Sequence, residues 1–199
     1  MGPVIAILLA AGESRRMGQL KALLPWQGST LLEYQVTALL EGGADRVVVV
    51  VGHRAAELEA KLEGKDGVSC AVNPDYLQGK TTSLKAGVRA VEKFQPHVIL
   101  ILNVDQPRKP ETIQDVLRRH LAEGSLITIP TVNGKGGHPI AIAAQLLPDL
   151  GSIEEESQGL KAVTRRYESS TSRAELGTPE ILWDLNTPQD YQKAIEAQE

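Results

Sequence analysis

Three unbroken apolar runs, at residues 4–9, 47–51 and 98–102, constrain this chain most strongly. The second of them is five consecutive valines. A strand that is apolar at every position has both faces covered, as in a parallel sheet sandwiched between layers of helices. The stretches between the runs supply the helices. Apolar residues recur with helical spacing over 30–40, and Gly42-Gly43 ends that segment. Helices are predicted again at 54–62 and 81–93, with a short strand at 68–72. A helix over 110–123 opens on Pro110 and stops at Gly124. Residues 126–129 and 140–142 read as strands. In the less regular tail, 160–167 and 188–197 read as helices and 181–183 as a short strand. This β-α-β alternation specifies an α/β fold with a mainly parallel sheet and right-handed crossovers. No long linker, repeat or low-complexity stretch interrupts it, so residues 1–199 are expected to form one domain.

Composition removes several classes of function. Net charge is −4, from 21 basic and 25 acidic residues, which does not describe a surface that coats nucleic acid. No apolar run approaches the roughly 20 residues that span a bilayer. The opening run resembles the core of a signal peptide but has no basic segment before it, and a first buried strand accounts for it. The one cysteine, Cys70, cannot form an internal disulfide and reads as a small core residue near a strand, in keeping with a reducing, cytoplasmic setting.

In open parallel sheets, ligands bind beyond the carboxyl ends of the strands. Residues 10–21, 73–83 and 103–107 follow predicted strands and should converge there. In the first stretch, Ala10, Ala11 and Gly12 leave the backbone open to close approach, and Gly18 permits a sharp bend. Successive amides of such a loop can form an anion nest; Arg16 offers a planar fork and Lys21 a mobile point charge. These residues read either as a triphosphate cradle or as a surface loop with solvated cations. The usual phosphate loops are absent. Gly12 and Gly18 do not make G-x-G-x-x-G, and Gly79-Lys80-Thr81-Thr82 lacks the glycine of a P-loop, with Pro74 in its place. Asp105, at the mouth of the 98–102 strand, is placed either to hold a hard cation or to cap a turn. Asn186-Thr187-Pro188 reads as the cap of the last helix, and the Asn186 oxygen can also coordinate a cation. Thr82 and Ser83 lie at a helix start, where amides favour anions. His138, beside Pro139, is not assigned as a general base.

The stretch from Leu8 to Pro25, with Ala-Ala-Gly, Ser14, Arg16-Met17-Gly18 and Lys21, resembles the L-A-A-G-x-S-x-R-M-G-x-x-K signature of the MobA/MocA-like nucleotidyltransferases. Four further stretches extend the resemblance over nearly the whole chain: Asn73 to Gly87, Asn103 to Pro107, Gly136 to Pro139 and Trp183 to Tyr191. The resemblance implies a Rossmann-like three-layer nucleotidyltransferase fold and a nucleoside triphosphate bound with Mg²⁺. On the matching positions it implies nucleotide contacts from Leu9, Ala10, Ala11, Gly12, Lys21, Asn73, Gly79, Ser83 and Asp105. It implies catalytic roles for Arg16, Lys21 and Asp105, metal binding by Asp105 and Asn186, and an acceptor side at Gly137 and His138. The family carries an acidic residue where this chain has Asn186, which weakens the metal site or moves Asn186 to its periphery.

Ala11 distinguishes this sequence from the L-A-G-G of the guanylyl branch, and the chain looks most like the molybdenum cofactor cytidylyltransferases. That likeness implies CTP as donor, the terminal phosphate of molybdopterin as acceptor, and transient contact with molybdoenzyme maturation proteins. GTP or ATP, or a sugar 1-phosphate acceptor, would use the same residues. A non-catalytic nucleotide-binding maturation partner is the alternative that Asn186 keeps open, and a dinucleotide-binding dehydrogenase is disfavoured by the missing glycine fingerprint.

Overall fold

A computed structural model describes residues 2–156 and 158–198. Strand β1 (Val4–Ala10) leads into a small hairpin of β2 (Pro25–Trp26) and β3 (Ser29–Thr30). There follow α1 (Leu31–Glu41), β4 (Arg46–Val51), α2 (Ala55–Leu62) and β5 (Val68–Val72). Next come α3 (Lys80–Glu92), β6 (Val98–Asn103) and α4 (Pro110–Glu123). The second half adds β7 (Ile127–Val132), β8 (Lys135–Gly136), β9 (Ile140–Ala143), α5 (Leu147–Gly151), α6 (Leu160–Arg166), β10 (Thr171–Glu175) and α7 (Pro188–Glu196). The main sheet runs β10-β7-β9-β6-β1-β4-β5, with β8 paired to β7. β1, β4, β5 and β6 form a parallel block; β9 runs antiparallel between β6 and β7.

Each apolar strand feeds two cores at once, because successive side chains point to opposite faces. Val47, Val49 and Val51 join Ala6, Leu8, Leu100 and Leu102 under α1, α2 and α4. Val48 and Val50 join Ile5, Ile7, Ile99 and Ile101 under α3, α5 and α6. The run of five valines is thus divided between both sides. A third cluster packs Trp26, Leu31 and Met17 against Leu185 and Ala194, which docks α7 beside the loop after β1.

Strand order reverses at β1. The chain passes outward from β1 to β4 and β5, then returns to place β6 on the other side of β1. The loops leaving β1 and β6 therefore emerge side by side, joined where Val104 N donates to Leu9 O at 2.9 Å. This is the switch-point crevice of an open α/β sheet.

One sequence expectation needs correction, and one strand has no counterpart in the sequence reading. Residues 181–183 are not a strand: Pro179–Leu182 forms a turn of 3₁₀ helix, and the carbonyls of Ile181 and Trp183 accept from the Arg108 side chain instead of from a sheet neighbour. Thr171–Glu175, which alternates too weakly to stand out, forms edge strand β10 parallel to β7. Cys70 lies half-buried in β5, and burial pushes its thiol up to about 11, so the thiolate is scarce near neutral pH. Among the described residues, no helix is long and apolar enough to cross a membrane.

Candidate active site

A cleft of about 450 Å³ opens over the carboxyl ends of β1 and β6, a size suited to a small-molecule ligand. Its floor is the end of β1 and the turn after it, Leu9 to Gly12. The loop beyond is held by a local bond: Ser14, at φ 58°, accepts from Lys21 N on its Oγ at 3.0 Å. That bond folds the chain back, so Arg16 and Lys21 enter the cleft from one wall. Gly79, Lys80 and Ser83, at the start of α3, form the opposite wall with Tyr76 and Leu77.

The charged centre joins three distant segments. Lys21 Nζ donates to Asp105 Oδ2 at 2.7 Å and to Asn186 Oδ1 at 3.0 Å. Arg16 Nη2 donates to the same Asn186 oxygen at 2.8 Å. Lys21 is buried, so these bonds form with little water to screen them. Leu185 N donates to Asp105 O at 2.9 Å, fixing the α7 entry segment against the β6 loop. Asn186 does not cap α7. Thr187 does, in a reciprocal box with Asp190, and this leaves the Asn186 oxygen free to face the cations.

Three residues expected at the site lie behind it. Asn73 is buried, and its amide donates to Thr82 Oγ1 and Ser83 Oγ, both at 2.9 Å, so it shapes the α3 wall from within. Gly137 and His138 sit against the 181–183 segment: a Cβ on Gly137 would collide with the Ile181 carbonyl, and His138 N donates to that carbonyl at 3.3 Å. Burial pushes the His138 imidazole down to about 4, and the neighbouring Arg108 guanidinium acts in the same direction, so the ring is neutral near pH 7. Arg108 was invisible to motif reading. It is buried, and burial lowers its guanidinium to about 10, still charged near neutrality. The only signal in the sequence is its position between two prolines, immediately after the Asp105 turn.

Residues 6–171 match the sequence pattern of the MobA-like NTP transferase domain. The chain belongs to that family. It is 31% identical to the molybdenum cofactor cytidylyltransferase of Escherichia coli K12, over 98% of this chain and 97% of that protein. It is 33% identical to nicotine blue oxidoreductase of Paenarthrobacter nicotinovorans, with 82% of each covered. Among solved structures, a nucleotidyl transferase from Methanothermobacter superposes with a TM-score of 0.81 at 29% identity, over 99% of this chain and 98% of that one. The fold is accordingly the three-layer α/β fold of the nucleotidyltransferases, and the chain is a nucleotidyltransferase close to the molybdenum cofactor cytidylyltransferases.

Proposed function

We propose that the cleft binds CTP and transfers its cytidylyl group to the terminal phosphate of a molybdopterin-type acceptor, releasing pyrophosphate. One observation carries the reading: Lys21, Asp105 and Asn186 arrive from three segments and meet as a bonded cluster at the switch point of the sheet. A phosphate monoester, with its second pKa near about 6, is largely dianionic at neutral pH and needs no base. The chemistry then demands positioning and charge neutralisation, which this cluster offers. Lys21 and Arg16 offset charge on the entering phosphates, while the Leu9–Gly12 turn holds the nucleotide close to the backbone. The choice of CTP rests on the full-length likeness to the cytidylyltransferase.

The oxygens of Asp105 and Asn186 already converge on one cation, the Lys21 ammonium. An all-oxygen pair with one formal charge fits Mg²⁺, whose remaining ligands are water and substrate phosphates. Asp105 and Asn186 would hold the ion, which supplies charge neutralisation at the phosphates. Among the described residues, no cluster of three or more His, Cys, Asp or Glu side chains offers another cage.

The test is pyrophosphate release with Mg²⁺ and molybdenum-loaded molybdopterin, with CTP, GTP, ATP and UTP each supplied alone. Release with CTP well above the others is the expected result. Release with GTP or ATP overturns the base assignment, and silence with all four overturns the acceptor or the transferase reading. The likeness to nicotine blue oxidoreductase favours a second reading, in which this cleft serves redox chemistry. Saturable NAD(P) binding would support it, and failure to bind would close it.

A further inference from the structure

Arg108 has no task in nucleotidyl transfer as described, yet it is only 1% exposed. Burying an ionised group is expensive unless its donors are met. Here they are met by backbone carbonyls. Nε donates to His138 O at 2.8 Å, Nη1 to Pro107 O at 2.7 Å, and Nη2 to Ile181 O at 2.7 Å and Trp183 O at 3.1 Å. The rigid fork of a guanidinium suits such a task, and a lysine cannot reproduce it.

Two of the segments so joined carry Asp105 and Asn186 into the charged centre, and the third lies behind them. Pro107 ends the turn that carries Asp105. Ile181 and Trp183 precede Leu185, whose N–H donates to Asp105 O, and Asn186 follows. The Gly137–His138 turn backs both. From the other side the buried Gln35 of α1 grips the same loop: its Oε1 accepts from Arg108 N at 3.0 Å and its Nε2 donates to Gln106 O at 2.6 Å.

We infer that Arg108 is a positioning residue: a buried three-way staple that sets the distance between Asp105 and Asn186 and hence the site each offers to cation and phosphate. The inference rests on the nucleotidyl-transfer reading for its kinetic arm only. It also gives the Gly137–His138 turn a reason to sit where it does. Close approach of Gly137 to the Ile181 carbonyl brings the His138 carbonyl within reach of Arg108.

The test is Arg108→Lys, with amide hydrogen exchange at Leu185 and at Val49 in the sheet centre, Mg²⁺ binding to the nucleotide-free protein by calorimetry, and steady-state kinetics. Val49 protection should stay as in the wild type while Leu185 exchanges about tenfold faster, the signature of local opening. Mg²⁺ affinity should fall about tenfold, as for loss of a partner that orients metal ligands, and kcat about as much, with the KM for CTP held within about threefold. Unchanged Leu185 exchange overturns the inference. So does faster exchange with unaltered kcat and Mg²⁺ affinity, or an equal loss of protection at Val49, either of which reduces Arg108 to a general structural residue. Wild-type protein silent with every nucleotide defeats the transferase reading alone; the exchange and calorimetric arms, which need no turnover, then decide on Arg108.

Discussion

Asp105 and Asn186 share one ammonium, and the difference between them is a single formal charge. Asp105→Asn keeps a side chain that can accept from Lys21 Nζ but removes the carboxylate bonded to it. Turnover is expected to fall about 10²-fold or more, the scale of losing a principal electrostatic group, a larger effect than the stability lost when the buried Lys21 ammonium keeps only neutral partners. A folded variant with near-wild-type kcat would remove Asp105 from the machinery. Asn186→Asp is the converse change. Lys21 and Arg16 both reach the Asn186 oxygen and would accommodate the added charge. The Mg²⁺ concentration for half-maximal activity should drop severalfold, because a second carboxylate strengthens a site for a hard cation. An unaltered requirement would place Asn186 outside the metal's coordination. The meeting of Lys21, Asp105 and Asn186 was legible through the family resemblance, because each sits in a contiguous motif after a strand or before a helix. The residues alone left each open between a ligand and an ordinary loop, turn or cap. Arg108 was not legible. Its burial is decided by carbonyls from three segments that only the fold brings together, and no local pattern encodes such a meeting. Asn73 shows the converse: its place in a motif was readable, but its inward orientation toward Thr82 and Ser83 was not.

Elements were readable where hydrophobic periodicity and capping chemistry act locally. The valine run, the helix between Pro110 and Gly124 and the strand ending at Asn103 follow from one-dimensional pattern. The antiparallel placement of β9 and the edge strand β10 do not, since strand direction and edge pairing are set by partners far along the chain. The 181–183 segment misleads for a related reason: Ile181 packs inward while Leu182 is exposed, and the carbonyls of Ile181 and Trp183 serve Arg108 instead of a strand. The α7 cap carries a prediction at this scale. Thr187 Oγ1 accepts from Asp190 N at 3.2 Å, and Asp190 Oδ2 accepts from Thr187 N at 2.8 Å. Thr187→Ala should lower stability by about 1 kcal/mol in urea denaturation, while Thr187→Ser should recover most of it. Equal midpoints for the alanine variant and the wild type would mean that α7 is held by the Trp26 cluster alone.

For the whole molecule, acid sensitivity should begin well above the carboxylate range. Two histidines are held neutral by the fold. His120 is buried against Thr128 Oγ1 at 3.0 Å, and burial, with His97 nearby, pushes it down to about 4. His138 is pushed down to about 4 in the same way, with Arg108 beside it. In the unfolded chain both would titrate near about 6.5. Above that pH both states are neutral and the histidines exert no pull. Below it the unfolded chain takes up protons that the folded one refuses, so stability falls with pH through the window from about 6.5 to about 4. For His120 the slope is about 1.4 kcal/mol per pH unit. The carboxylates act later. Thr30 bonds hold Glu33 below its usual value, and Thr81 bonds do the same for Glu155, so their contribution is lost only as pH falls below the ordinary carboxylate range. Urea midpoints measured between pH 7 and pH 5 therefore isolate the histidines. They should hold down to about pH 6.5 and decline below it, and in His120→Asn, which keeps a polar partner for Thr128, the decline should be markedly shallower. A flat profile from pH 7 to pH 5 would mean that both rings accept protons within the fold, and a variant that declines as steeply as the wild type would assign the effect to His138 and the staple around Arg108.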